Sequence, residues 1–504
     1  MRLVKAKDIY NEAMSWLGGK TPDGQPHPKD VAKADVLVNE LLNSNPGNPL
    51  VLYLAGTICM ERNQWGLGVQ ILSQVTHMKP DHGEAWNNLG IAWQHLREMD
   101  RAAVCFRQAA KLIPHADIPS NMAAVHLNRN MPEKALAFAN VALEMNPDHV
   151  QAKWHKALAL LEMSRWDEAW EWHEARIDGG AGEKIGVRNY HGGADGGMTP
   201  WWDGKSPGLV AVHGEEGLGD EIMFASCIPD AARVPGVRLI LEPCPRLGGL
   251  FARSFDNETI ATYGTHDLTG KDWVPKIGRP DFKIALGSLP KFFRRRLEDF
   301  PGTPYLKADP EKVAYWREQL AALGPGLKVG IGWQGGVHST RQDLRSLHPS
   351  EFAPMFGLPV HFVSLQYDET APLNVLDVKR DFGIDIHHWP QAVAARDPAT
   401  GKENDLDNLA ALTAGLDLVI TVPQTAYHLA GALGVETWCL TQSEPDWRLG
   451  AGDAMTVPWY NSLILIRQER GTRDWKPVVA QAAARLGQRA ARASGGPKAV
   501  GATP

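Results

Sequence analysis

The chain has 504 residues, 44% of them hydrophobic and 22% charged, with a formal net charge of −6. That length suggests two to four domains of ordinary globular composition. No apolar run reaches the roughly 20 residues of a membrane-spanning helix, the N-terminus lacks the apolar core of a secretion signal, and a mildly acidic balance does not advertise nucleic-acid binding.

A cytoplasmic location is the resulting expectation. The five cysteines, Cys59, Cys105, Cys227, Cys244 and Cys439, are scattered and lack CxxC pairing. They read as reduced structural residues rather than metal ligands or disulfides.

The first third repeats. Pro46, Pro80, Pro114 and Pro147 recur at spacings of 34, 34 and 33 residues. The clearest unit is 81–114, DHGEAWNNLGIAWQHLREMDRAAVCFRQAAKLIP. Trp86, Leu89, Gly90, Ala92 and Trp93 share one face of a first helix, and Ala102, Phe106 and Ala109 share one face of a second. Small residues let the helices approach, and proline ends the pair because it cannot continue a helix. The pattern looks like the tetratricopeptide repeat (TPR). Residues 47–80, 115–147 and 148–176 are further copies, and 1–46 hold a divergent or capping one. Such units stack to bury their apolar faces and present a groove that binds peptide or protein, or else serve as a spacer or dimerisation surface. Residues 1–176 are therefore expected to form an α-solenoid.

Residues 177–207 are glycine-rich and aperiodic, a linker or strap that Trp201 and Trp202 would pin to a neighbouring domain. From Gly208 short apolar runs alternate with helical stretches. GLVAVHG, VRLILEP and a weaker run near DWVPKI form one group. LKVGIGW, VHFVSLQ, LDLVITV and VETWCLT form a second, reached through a helix over Asp309–Leu323. This alternation predicts buried parallel strands in two α/β domains, 208–308 and 309–490, with ligands at the carboxyl ends of the strands. The tail 491–504 is expected to be disordered.

Three stretches carry chemistry. HGEEGLGDE, residues 213–221, is a glycine-rich strand-to-helix turn with no lysine for a phosphate. Its G-x-x-G-x-G order fits neither a dinucleotide fingerprint nor a P-loop. Gly214, Gly217 and Gly219 would let backbone approach a ligand, and Asp220 would either cap the helix or face the cleft. In DLVITVPQTAYHLAGAL, residues 417–433, a helix starting around Gln424 would offer free N–H groups and its dipole to a diphosphate. Gln424 and Thr425 would lie at the turn, with His428 one turn in as a ligand or a packing residue. Trp333 opens a polar loop in which Arg341 and Arg345 either grip phosphate or remain solvated. Outside these, Lys291–Arg296 is either a solvated helix face or a patch for an acidic acceptor.

TPWWDGKSPG, HGEEGLGDEIMFA, GIGWQGG…RQDLRS, FVSLQ, LDLVITVPQTAYHLAGALGVETW, EPDWRLG and PWYNSLILIRQ occur in this order. Together with the repeats they resemble the bacterial tetratricopeptide-repeat glycosyltransferases, whose catalytic part is similar to heptosyltransferases and more distantly to O-GlcNAc transferases. The resemblance runs from about Pro46 to Leu486. It implies a GT-B fold of two Rossmann-like domains, a nucleotide-sugar donor held mainly by the second, and no metal or other cofactor. Asp220, in the Gly217–Asp220 element, would then be the general base of an inverting transfer to an acceptor hydroxyl. The helix near Gln424, with Arg341 and Arg345, would stabilise the leaving diphosphate. Gln366 and Trp447–Arg448 would contact base or sugar. Pro423–Gln424 departs from the family's pattern at the phosphate turn and removes one N–H donor.

The acceptor implied is a protein recruited by the repeats, such as a surface or flagellar protein. A glycan or a modified DNA base is an alternative; the net negative charge argues against DNA and Arg294–Arg296 for it. A catalytically degenerate scaffold is the other alternative.

Overall fold

The computed structural model describes residues 2–18, 29–179, 190, 198–215, 217–267, 269–336, 342–394, 396, 404–444, 446–450 and 454–494. The chain divides into two compact units, Met1–Leu160 and Leu161–Pro504.

The first unit is a run of antiparallel helix pairs: α1 (Arg2–Gly18) with α2 (Val31–Ser44), α3 (Pro49–Glu61) with α4 (Trp65–Met78), α5 (Gly83–His95) with α6 (Met99–Leu112), and α7 (Asp117–Leu127) with α8 (Pro132–Met145). Helix α9 (Val150–Glu162) follows. The period seen in the prolines is also written in the backbone. Asn63, Arg97, Asn130 and Ser164 all adopt left-handed conformations, at φ 58°, 64°, 51° and 58°. Each sits in the tight turn after a first helix, where reversing the chain outweighs the roughly 1–2 kcal/mol that this conformation costs an L-residue.

Within a pair, small residues set the helix separation. A Cβ on Gly90 would lie 2.6 Å from the Phe106 ring, and one on Gly56 would lie 2.8 Å from Leu72 in the preceding repeat. Helix starts are capped locally: Asp30 accepts from Lys33 N at 3.0 Å, and Asn48 accepts from Leu50 N at 2.9 Å beside Pro49.

The second unit opens with α10 (Trp166–His173), which sequence reading assigns to the last repeat. It belongs with the α/β part because Trp170 is buried against Trp447 and Trp459, and its indole N–H donates to Arg294 O at 2.7 Å.

Two parallel sheets follow. The first has order β3-β2-β1-β4, with β1 Gly208–His213, β2 Val237–Glu242, β3 Ala261–Thr262 and β4 Phe282–Ala285. The second has order β10-β9-β8-β5-β6-β7, with β5 Leu327–Gly332, β6 Val360–Ser364, β7 Ile386–His387, β8 Leu418–Thr421, β9 Thr437–Thr441 and β10 Leu463–Arg467. In each the strand order reverses beside the first strand, at β1/β4 and at β5/β8. That crevice is where doubly wound sheets bind ligands. Val329, Ile331, Leu418, Ile420, Trp438, Leu440 and Ile466 fill the second sheet's core, each under 5% exposed.

Some expectations are corrected and others hold. DWVPKI is not a strand: Val274–Ile277 is a short helix with Pro275 in its first turn. Buried Trp273 anchors it through an indole N–H to Glu242 at 2.7 Å. The helix expected over Asp309–Leu323 is Pro310–Ala321, capped by Asp309. The C-terminal helix Lys476–Ser494 runs through Ala491 to the end of the described residues. Trp202 pins the strap, at 3% exposure, whereas Trp201 is 41% exposed and lies against Lys283. The five cysteines are free thiols.

Candidate functional site

The loop after β1 leads into helix α11 (Leu218–Phe224). Its N-cap is Gly217, so Asp220 is no cap; it lies in the first turn and projects from it. Asp220 Oδ1 accepts from Arg448 Nε at 2.5 Å, and the two side chains are 18% and 20% exposed. This pair joins the first sheet's loop to the turn Trp447–Leu449 of the second. Arg448 also lies over the Trp447 ring, 4.6 Å from its centroid.

The neighbouring acids, which have no role legible in the sequence, are structural. Glu215 forms a bidentate pair with Arg176, at 2.6 and 3.0 Å, with both side chains fully buried. It also accepts from Gly287 N at 2.8 Å. Glu221 is buried and accepts from Cys244 N at 2.9 Å. Its carboxylate fills the space at Gly214, where a Cβ would lie 2.5 Å from it. Gly214 therefore admits a protein side chain rather than a ligand. Gly219 does the same: its Cβ would lie 2.8 Å from His428. Gly217 faces the roomier side, with Asp220 Oδ2 3.4 Å from where its Cβ would be. Glu216 lies outside the described residues.

At the second sheet's crevice the loops after β5 and β8 interlock. A Cβ on Gly335 would lie 2.0 Å from Pro423 O, which explains the glycines of GIGWQGG. Gln424 is the extended N-cap of the helix Thr425–Leu433, and no side chain caps that helix. Its Nε2 donates to Thr421 Oγ1 at 2.8 Å, and its buried Oε1 has no partner among the described residues. Thr425 is half-buried at the first helical position.

Gln366 is buried against the loop after β5. At 1% exposure it accepts from Trp333 N and Gln334 N, both at 3.1 Å, and donates to Gln334 O at 3.0 Å. It shapes the loop. Trp333 is likewise buried, and its indole N–H has no partner among the described residues. Arg345 Nε donates to Gly335 O at 3.1 Å, and its NH1 is 3.9 Å from Asp446. Asp446 is also 3.9 Å from Arg448 NH1, so it lies between two guanidinium groups. Arg341 lies outside the described residues.

His428 is 4% exposed, with Nδ1 at 2.9 Å from Tyr460 Oη. Burial, then Arg448 and Arg345, push its pKa well below the ordinary 6.5. Burial, then Arg176 and Arg448, do the same to His173. Both rings are neutral in the folded chain and protonate when unfolded below about pH 6.5. The unfolded state then binds more protons, so stability falls as pH drops below 6.5 and receives no contribution from these groups above it. Urea unfolding at pH 7.5, 6 and 5 should show that decline, and His428→Gln should reduce its slope.

Gly219→Ala should cost about 1–3 kcal/mol by overpacking against His428. A denaturant midpoint equal to wild type would contradict that close contact.

In Lys291–Arg296 the cations divide: Arg295 and Arg296 are exposed, whereas Arg294 is buried. The helix ends at Phe293, and Arg294 is 1% exposed, paired with Asp230 at 2.7 Å and bonded to Ser226 O at 2.6 Å. Arg296 pairs with Asp299, and Lys291 with Glu171. Among the described residues no group of three or more His, Cys, Asp or Glu side chains could hold a metal ion. No described helix is long and apolar enough to cross a membrane.

In the first unit, polar side chains of successive first helices join in a row. Asn88 donates to Tyr53 Oη and Thr57 Oγ1 at 3.3 and 3.4 Å, Asn121 to Asn87 Oδ1 at 3.1 Å, and Ser120 meets His155 at 3.1 Å. The exposed members of such a groove are not selectable from sequence, because many residues satisfy the helical period.

A family model of the tetratricopeptide repeat matches residues 42–117. The N-terminal region is a TPR array. The chain is similar to Protein FlbA of Caulobacter vibrioides, at 28% identity over 84% of this chain and 70% of that one. Among solved structures, YrrB, described as a TPR protein with an unusual peptide-binding site, overlaps 28% of this chain and 73% of its own, at 15% identity and TM-score 0.25. MamA from Desulfovibrio magneticus overlaps 34% and 92%, at 16% identity and TM-score 0.27.

Proposed function

We propose that the α/β unit is a GT-B glycosyltransferase that moves a sugar from a nucleotide-sugar donor to an acceptor hydroxyl, with inversion and without a metal. The observation that carries this reading is the uncapped start of the Thr425 helix at the β5/β8 switch point, with Arg345 and Arg448 nearby and the Asp220 carboxylate opposite. A helix start and guanidinium groups suit a diphosphate, and a carboxylate in the same crevice suits a hydroxyl.

In the reaction, Asp220 takes the acceptor proton as the acceptor oxygen bonds the anomeric carbon. The bond from that carbon to the phosphate oxygen breaks, and the nucleoside diphosphate leaves with the electron pair. The helix N–H groups, Arg345 and Arg341 stabilise its charge. Pro423 supplies no N–H, so the grip relies more on the arginines.

The acceptor is a protein or peptide held by the repeats. The amide and hydroxyl row Tyr53, Asn87, Asn88 and Asn121 supports this, because such groups can bond an extended main chain. Asn87→Ala with Asn121→Ala should weaken acceptor binding about tenfold and leave turnover of a small acceptor unchanged, as read by KM for each.

A thermal-shift panel of nucleotide sugars and nucleoside diphosphates tests the core reading. A true donor class at about 100 times its dissociation constant adds roughly 2.7 kcal/mol. No stabilisation and no turnover with any donor would instead favour a degenerate scaffold.

A further inference from the structure

We propose that Arg448 is a donor-sensing positioning residue. Its guanidinium holds Asp220, and a diphosphate entering beside the Thr425 helix draws it away and frees the carboxylate for the acceptor. This rests on the transfer reading above and adds an order of events to it.

The contact is direct, Arg448 Nε to Asp220 Oδ1 at 2.5 Å. A carboxylate oxygen so bonded has given up a lone pair that it would offer to a hydroxyl. Base and donor site are also adjacent. Asp220 follows Gly219, which lies against His428 in the Thr425 helix. The turn that carries Arg448 is held independently of its guanidinium. Arg448 is 20% exposed, lies in a three-residue turn ended by Gly450 at φ 69°, and has its backbone N held by Asp446 at 2.9 Å. The side chain can swing while the turn stays fixed.

The destination favours an anion. The helix start is uncapped, Arg345 lies at the loop after β5 with Nε on Gly335 O, and Gln424 at the N-cap keeps a buried Oε1 with no partner among the described residues. That acceptor suits a donor-side hydroxyl or N–H. A diphosphate offers several charged oxygens to a planar guanidinium where Asp220 offers one contact, so it wins the exchange. Donor therefore binds before acceptor, and the base is exposed only when there is a sugar to transfer.

The test is a double-mutant cycle read by calorimetry with UDP, GDP and inorganic pyrophosphate as probes. If Asp220 competes for Arg448, Asp220→Asn tightens diphosphate binding about tenfold, the size expected for a hydrogen bond between charged groups. Arg448→Gln weakens binding, Asp220→Asn adds nothing in that background, and Arg448→Lys restores part of it. Far-UV circular dichroism checks folding, and Arg448→Lys replaces Arg448→Gln in the cycle if the latter does not fold. Equal affinity of Asp220→Asn and wild type overturns the exchange and leaves the transfer reading intact. So does equal tightening in the Arg448→Gln background, which is a through-space charge effect. Failure of all three probes to bind wild type and Asp220→Asn alike overturns the diphosphate site and both readings.

Discussion

Asp220→Asn should lower sugar transfer by about 10²–10⁴-fold, the usual contribution of a positioned proton acceptor. The substitution keeps the size of the side chain and removes its charge and basicity. Asp220 is in the first turn of α11 but does not cap it, so helix stability should change little. Its side-chain partner Arg448 can keep its hydrogen bond to the asparagine oxygen in place of the carboxylate. The decisive measurement is single-turnover transfer beside a denaturant midpoint. Full activity in a folded Asp220→Asn protein would remove Asp220 as the base. Asp220→Glu should retain more activity than Asp220→Asn, because a misplaced carboxylate still accepts a proton.

Arg176→Ala should destabilise the α/β unit by about 3–5 kcal/mol, since it strands a buried Glu215 carboxylate. Glu215 would keep only the Gly287 N–H among the partners described above. Arg176 is also bonded to Glu174 and to Ser288, at 2.7 and 2.9 Å, so the loss extends across one network. Arg176→Met with Glu215→Gln should recover part of the stability, because the pair's desolvation cost disappears with its charges. Urea unfolding of the three proteins decides this. A single mutant within 1 kcal/mol of wild type would show that the pair is not desolvated in solution.

The loop 213–221 shows where sequence reading reaches its limit. Its glycines and acids mark a strand-to-helix turn at a switch point, and the start of the helix falls two residues from where the pattern puts it. Its five polar positions look alike in the sequence, however. Only the fold separates them. Glu215 meets Arg176, Glu221 meets Cys244, and Asp220 turns to Arg448, at sequence separations of 39, 23 and 228 residues. Gln366 is a similar case. A glutamine after a strand is read as a ligand contact, and it proves to be buried support for the loop beside it.

Local physics determined what the sequence could reveal by itself. Proline spacing, paired small residues and the alternation of apolar runs are short-range patterns, and they specified the helical repeats and the parallel strands with most of their boundaries. DWVPKI failed because four apolar or aromatic positions resemble a strand until Trp273 finds Glu242 across the fold. The tertiary structure alone decided which charges face one another. Pairing energy depends on distance and on desolvation, and neither exists until strands and loops remote in sequence are brought together.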